Sequence, residues 1–308
     1  MTEEIKSGIV AEPGQTFGGS WTELKLEMVK RYMDSYAKAL KNQPFGKIYI
    51  DAFAGTGYRE MLVDEQSTPV LWEEAEAEAT RIFAGSAKLS LNVVPPFDRY
   101  VFIEKSAKRL AELDDLKNEH PGLAGRIHLR EDDANHAIPE ICQKIDWKRN
   151  RAVMFLDPYG MSVDWSTMEA IARTKAIDVW ILFPVGIGVN RLLKQRLEDI
   201  QPSWREKLNR VFGSSGWQSE FFKANPQPSL FEMETGSVKV SDSIGAITNY
   251  YQARLASVFP KVAPHPRYLC NTKRKSPMFI LTFAMASDNP KAHKAGMDMA
   301  RYILERQF

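Results

Sequence analysis

Two apolar periods alternate along the chain. After Ser20, "WTELKLEMVKRYMDSYAKAL" sets Leu24, Met28, Tyr32 and Tyr36 at every fourth position. That spacing predicts an amphipathic helix capped at Ser20 or Thr22 and running to about residue 40. Five short, dense runs follow: "KIYIDAF", "RYVFIEK", "RIHLRED", "RAVMFLDPYG" and "AIDVWILFPV". Each of these runs reads as a strand. Helical stretches separate them, at about 69–91, around Leu110, Leu113 and Leu116, from about Ala137, and over "DWSTMEAIART".

Strands and helices alternating in this way imply βαβ crossovers and a parallel sheet covered on both faces. The rhythm breaks at 188–240, where Trp204, Trp217, Phe221 and Phe222 lie among scattered Gly and Pro. We read that stretch as a mostly helical insertion, its aromatics forming either its own core or a partner surface. The expected organisation is one α/β domain over 1–187 plus 241–308, interrupted by a subdomain at 188–240. A helix over "SIGAITNYYQARLASVF", two strands ("HPRYLCN" and "PMFILTFAMAS") joined by the basic "TKRK", and a helix over "PKAHKAGMDMARYILERQ" close the chain. A hairpin at this point adds antiparallel strands to a parallel sheet.

Composition narrows the class. Across 308 residues, 44% are hydrophobic and 26% charged, an ordinary globular balance. The only cysteines, Cys142 and Cys270, stand far apart, so neither a disulfide framework nor a metal-ligand spacing is expected. A reducing, cytoplasmic setting is the simplest. The acidic start "MTEEIKSGIV" lacks the apolar stretch of a signal peptide, and "VWILFPVGIGV" is too short to span a bilayer. A net charge of +2 neither requires nor excludes nucleic acid. Bases do gather in "KRNR", "NRLLKQR" and "NTKRK", which serve as solvated loops or as phosphate grips.

In an open α/β sheet, ligands bind beyond the carboxyl ends of the strands. Here those ends carry Asp51 and the turn Phe53-Ala54-Gly55-Thr56-Gly57, then Glu104, then Glu131-Asp132-Asp133 with Asn135, then Asp157-Pro158-Tyr159-Gly160. A rim of carboxylates suits hydroxyls, amines or a positive centre rather than a polyphosphate. The glycine turn is no Walker loop, because no Gly-Lys-Ser/Thr follows, and it has one glycine fewer than the dinucleotide fingerprint. Glu104 is placed to take both hydroxyls of a ribose, or else to pair with Lys105 or Lys108. Asp133 either meets an adenine amine or caps the helix opening at Ala134.

Together these positions resemble the cofactor site of class I S-adenosylmethionine-dependent methyltransferases. The resemblance implies a Rossmann-like, mostly parallel seven-stranded sheet with a C-terminal antiparallel hairpin. It also implies S-adenosyl-L-methionine held by Asp51, Phe53, Ala54, Gly55, Thr56, Gly57, Glu104, Asp133 and Ala134. Asp157-Pro158-Tyr159-Gly160 is similar to the Asp-Pro-Pro-Tyr and Asp-Pro-Phe-Gly tetrads of enzymes that methylate exocyclic amines of adenine or guanine. Its aromatic sits one place earlier than in Asp-Pro-Pro-Tyr. The alternative is a β-turn, since Asp-Pro and Tyr-Gly both favour one.

The ordered set "WTELKLEMVKRYM", "YIDAFAGTG", "GSA", "FIEK", "DDAN", "FLDPYG", "DVWILFPVGIGVNR" and "PMFILTFAMASDNPKAHKAG" resembles the three-Cys-motif partner proteins. That bacterial family is methyltransferase-like and typically encoded beside a three-cysteine-motif protein. Its relatives, the ribosomal RNA adenine-N6 methyltransferases, share the small-residue turn seen here as Gly85-Ser86-Ala87. The resemblance implies base methylation in RNA or DNA. Asp157, Pro158, Tyr159 and Gly160 would form the catalytic tetrad, and Ser86, Arg191, Lys194, Arg196, Lys273 and Arg274 would face the substrate. The other reading is a methyltransferase-like protein that works by docking a three-cysteine-motif partner.

Overall fold

The computed structural model describes residues 21–54, 85–158, 160–224, 237–271 and 274–306. Helix α1 (Trp21–Ala39) buries Met28, Val29, Tyr32, Met33, Tyr36 and Ala37, as the four-residue stripe predicts. The phase differs at its start, where Lys25 is buried and Leu24 is only partly covered.

Five strands then alternate with helices: β1 (Gly46–Asp51), α2 (Gly85–Leu91), β2 (Arg99–Glu104), α3 (Ala107–Glu119), β3 (Ile127–Glu131), α4 (Ala134–Lys144), β4 (Asn150–Leu156), α5 (Trp165–Arg173) and β5 (Ile177–Phe183). Helix α4 opens three residues before the expected Ala137, because Asp133 caps it: its carboxylate accepts from the Asn135 N–H at 2.8 Å. The expected helix over 69–84 lies outside the described residues.

The strands pair in parallel in the order β3-β2-β1-β4-β5. β5 is buried at every residue, as a central parallel strand must be. Beyond it lies β10 (Pro277–Met285), antiparallel to β5 with Ile280 opposite Phe183 and Met285 opposite Asp178. The short strands β8 (Lys261–Val262) and β9 (Arg267–Cys270) both pair with β10. This is the mostly parallel Rossmann-like sheet with an antiparallel hairpin at its far side. It has eight strands rather than the expected seven, because the two-residue β8 is too short to leave a period in the sequence.

Helices cover both faces. One core joins α1, α2, α3 and α9 (Pro290–Glu305) to β-strand residues such as Tyr49, Phe102, Trp180 and Phe283. The other joins α4 and α5 to Ile50, Met154 and Ile181, and takes in the stretch after β5.

That stretch begins with a π-helical turn, Val185–Asn190, followed by α6 (Pro202–Phe212), α7 (Trp217–Phe221) and a small antiparallel ribbon of β6 (Phe222–Ala224) with β7 (Ser237–Lys239). Trp217, Phe221 and Phe222 are buried, and with Phe212 they belong to the same core as β5 and α8 (Ser243–Ala256). Gly213, in the left-handed conformation at φ 67°, ends α6 where a side chain would run into the Trp165 ring.

Candidate functional site

The parallel strands β1 to β5 all deliver their last residues to one rim, so the expected acids arrive together. Asp51 ends β1, hydrogen-bonded in register between Phe102 of β2 and Phe155 of β4. Its carboxylate is fully buried and is held by three internal donors: the Ser86 hydroxyl, the Phe53 N–H at 3.3 Å and the Tyr49 hydroxyl at 3.3 Å. Burial pushes its pKa up to about 6. The hydrogen bonds from Ser86 and Phe53 oppose that rise, the Asp157 charge adds to it, and the Tyr49 hydroxyl opposes it more weakly. Ser86, expected on the substrate side, therefore reaches Asp51 from the first turn of α2. The backbone continues the pairing past the strand: the Ala52 N–H donates to the Phe155 carbonyl at 3.2 Å and the Ala54 N–H to the Ile103 carbonyl at 3.0 Å. Gly55, Thr56 and Gly57 lie outside the described residues.

Glu104 ends β2 and is only 6% exposed. One of its oxygens accepts the Ser106 N–H at 2.7 Å, and Arg109 approaches at 3.8 Å, whereas the alternative reading pairs it with Lys105 or Lys108. Asp133 caps α4, with Ala134 buried behind it. Each acid thus spends at least one carboxylate oxygen on stiffening its own turn.

Asp157 sits just past β4, next to Asp51, and Pro158 beside it is buried. The sequence reading left out its main contact. Lys25 Nζ lies 2.5 Å from Asp157 Oδ2, and the Lys25 side chain is 2% exposed. A lysine on a buried helical stripe was the available signal, since its alkyl stem continues the apolar face while its ammonium needs a partner.

Gly160 adopts φ 58°, so the tetrad closes in a left-handed turn that favours glycine. Tyr159 lies outside the described residues. Behind the tetrad is a small apolar hollow lined by Pro158, Gly160, Met161, Phe183, Pro184 and Tyr251, with Tyr251 stacked on Phe183 at 3.6 Å between ring centres. A second unassigned residue, Asn135, clasps the loop after the tetrad. Its amide donates to the Ser162 carbonyl at 2.6 Å, and its oxygen accepts from the Asp164 N–H and the Thr167 hydroxyl, each at 2.9 Å.

The basic residues divide. Arg191 follows the π-helical turn directly. Lys194 lies over the Trp204 ring at 4.7 Å, and Arg196 stands 3.8 Å from Glu198. Arg274 is exposed in the β9–β10 turn, where its N–H donates to the Asn271 side chain at 2.8 Å; Lys273 lies outside the described residues. That turn and the exit from β5 are neighbours, because a side chain at Gly186 would collide with the Pro277 carbonyl. Since β10 runs antiparallel to β5, the turn rises at the same rim as the tetrad.

Asp132, His136 and Glu140 also cluster, with ligand atoms within 4.8 Å of one another. Arg130 already pairs with both carboxylates of that cluster, and Lys144 pairs with Glu140. Among the described residues, no helix is long and apolar enough to cross a membrane.

No protein-family model and no curated protein matches the chain. Solved structures do. Protein LPL1258 from Legionella pneumophila, of the family model DUF519, aligns over 77% of this chain and 94% of its own at 14% identity and a TM-score of 0.37. Spermidine synthase from Thermotoga maritima aligns over 86% of this chain and 61% of its own at 11% identity and a TM-score of 0.36. An S-adenosylmethionine-dependent O-methyltransferase from Thermotoga maritima aligns over 88% and 72% at 11% identity and a TM-score of 0.32. Likenesses this remote decide no chemistry, and the strand order itself carries the fold.

Proposed function

We propose that the protein is an S-adenosylmethionine-dependent methyltransferase acting on an exocyclic amino group of adenine or guanine in RNA or DNA. The observation that carries this reading is that Asp51 and Asp157 stand near enough to interact where the adjacent parallel strands β1 and β4 end, where a donor-rich ligand and an incoming amine would meet. The residues present fit the cofactor. Its ribose hydroxyls, adenine amine and ammonium are all donors, and this rim offers the acceptors Asp51, Glu104 and Asp133. Ala52 and Ala54, both small and buried, flank Phe53 where the chain leaves β1 toward the glycine turn. The residues that would hold it are Asp51, Phe53, Ala54, Gly55, Thr56, Gly57, Glu104, Asp133 and Ala134. When bound, the cofactor supplies a methyl group activated on a sulfonium.

The protein's own part is to make a poor nucleophile a better one. The lone pair of an aromatic amine is delocalised into its ring. Asp157 and the Pro158 carbonyl each accept one of its N–H groups, which draws the nitrogen toward tetrahedral geometry and returns the lone pair to it. Pro158 holds this loop ordered before binding. Tyr159 stacks on the base once it has left its own stack. The apolar hollow behind the tetrad keeps water from the amine. Arg191, Lys194, Arg196, Lys273 and Arg274 grip phosphates and make binding salt-dependent.

The direct test is a labelled-methyl assay on total RNA, genomic DNA and protein, with and without the three-cysteine-motif protein that the resemblance implies as a neighbour. Transfer to nucleic acid that survives hydrolysis as an N-methylated purine supports the reading. Label that appears only in protein, or no label anywhere, overturns it. Docking of the partner protein without transfer would favour the binding role instead.

A further inference from the structure

We propose that Lys25 is a positioning residue of this site, balancing the charge of the Asp51–Asp157 carboxylate pair and fixing the Asp157 rotamer that receives the amine. The inference rests on the methyltransferase reading for its second half only. Its first half is a statement about two carboxylates and one ammonium.

The geometry makes the case. Lys25 comes from α1, a different element from either acid, and crosses to Asp157 Oδ2 at 2.5 Å with its side chain almost fully buried. A helix of this length could have packed with an apolar residue at that position, as it does at Met28, Val29 and Tyr32. Burying an ammonium costs free energy unless a carboxylate meets it, so an isolated structural gain is a weak reason for it. The acids supply a better one. Asp51 and Asp157 repel, and Asp51 is fully buried. The Asp157 charge adds to the raised pKa of the buried Asp51, and an ammonium held on Asp157 offsets that charge. The same contact fixes one oxygen of Asp157 and so sets the direction in which the other can accept. Among the described residues, Lys25 from α1 and Asp51 and Tyr49 from β1 are titratable groups that interact with Asp157. From β5, the neighbouring end is the apolar Phe183 and Pro184.

The experiment compares wild type with Lys25→Met and Lys25→Arg in the full chain. Melting temperature shows that each is folded. Carbon-13 carboxyl shifts of labelled aspartate follow the proton uptake of Asp51, and calorimetry gives S-adenosylmethionine affinity. Turnover and KM are then measured on the nucleic acid that accepts methyl. In Lys25→Met, the Asp51 carboxyl should take up its proton at a higher pH than in wild type, because the Asp157 charge beside it is no longer balanced. Cofactor affinity should stay within a few-fold, and kcat should fall about a hundredfold or more with KM little changed. Lys25→Arg should restore the titration fully and turnover only in part, since it returns the charge with a different reach. Should Lys25→Met fail to fold, Lys25→Gln keeps the stem and one donor and is read in the same way.

An unmoved titration overturns the proposal. So does wild-type kcat in a folded Lys25→Met protein. Loss of cofactor affinity with turnover intact at saturation also overturns it, and assigns Lys25 to the cofactor. A shifted titration in a protein that methylates nothing upholds the charge balance and removes the methyl-transfer reading instead.

Discussion

Two aspartates are buried at opposite ends of the same sheet. Asp51 closes β1 at the carboxyl rim, and Asp178 is the second residue of β5 at the amino rim, opposite Val153 and Met285. Burial raises both, Asp51 to about 6 and Asp178 to about 7. Their surroundings differ. Asp178 accepts one hydrogen bond at 2.8 Å from the Tyr32 hydroxyl, inside an aromatic packing of Tyr32, Trp180 and Phe283, and Arg151 lowers it only partly. Asp51 has three donors around it, a second carboxylate beside it, and a lysine beyond that. A raised pKa alone therefore says little about function. What separates the rims is what gathers around the acid. At the amino rim a tyrosine pins α1 to the sheet. At the carboxyl rim, four strand ends, a helix-borne cation and two basic segments converge on one place.

The largest way to break this contrast is at Asp157. Asp157→Ala should lower turnover by orders of magnitude while leaving cofactor affinity nearly unchanged, because positioning of the amine supplies much of the rate. Melting temperature, cofactor affinity and turnover measured on one preparation decide it. A folded, cofactor-binding variant that methylates at the wild-type rate would reduce the tetrad to a turn.

Next comes Glu104. On the proposed function its replacement by Ala would remove the acceptor of two ribose hydroxyls, and cofactor binding should weaken by roughly 2–4 kcal/mol. Calorimetry reads this directly. The backbone N–H of Ser106 loses its partner too, so the melting temperature should fall slightly. An affinity equal to wild type would move the cofactor away from the β2 end.

The amino rim predicts an effect on stability and none on chemistry. The Asp178 carboxyl holds its proton up to about pH 7 when folded and releases it near pH 4 when unfolded. Across that window the folded chain binds more protons than the unfolded chain, so stability falls as pH rises, and below about pH 4 the contribution is constant. Asp51 acts in the same direction over the narrower range up to about 6. Asp178→Asn keeps an acceptor for Tyr32 and removes the charge. The variant should gain on the order of 1–3 kcal/mol over wild type at about pH 8, with a much smaller gain at about pH 5. Denaturant melts at both values check it. Equal gains at both would mean that Asp178 is charged throughout.

The contrast also explains what could be read from the sequence. The alternation of periods carries the sheet, the crossovers and the acids at the strand ends, because a parallel strand buried on both faces leaves a dense apolar run that stops at the rim. Three features left no such mark. β8 has two residues, less than any period. Asp178 precedes a strongly apolar run and looks like an ordinary strand start, so its tyrosine partner 146 positions away is invisible. Lys25 lies on the stripe of Met28, Val29 and Tyr32 extended back by one turn, but a stripe taken from Leu24 misses it by one position. Asn135 was visible at the rim, yet its clasp on the loop after the tetrad depends on a contact 27 residues away.

The smallest expected effect tests whether an acid at the rim serves the ligand or only its own helix. Asp133 stands at the β3 end, where a cofactor adenine would lie, and it also caps α4 through the Asn135 N–H. Asp133→Ala removes that cap and should cost about 1 kcal/mol of stability. Asp133→Asn keeps an oxygen for the cap, so its stability should stay within a few tenths of wild type. The two roles then separate on the asparagine variant. Should the carboxylate accept from the adenine amine, Asp133→Asn loses a charge-assisted bond and weakens S-adenosylmethionine by about 1 kcal/mol with the fold intact. Should the residue only cap, cofactor affinity follows wild type in Asp133→Asn. In Asp133→Ala it would then change only as far as the frayed first turn of α4 disturbs Ala134. Paired melting curves and calorimetry on the two variants therefore place Asp133 on the Asp51 side of the contrast or on the Asp178 side.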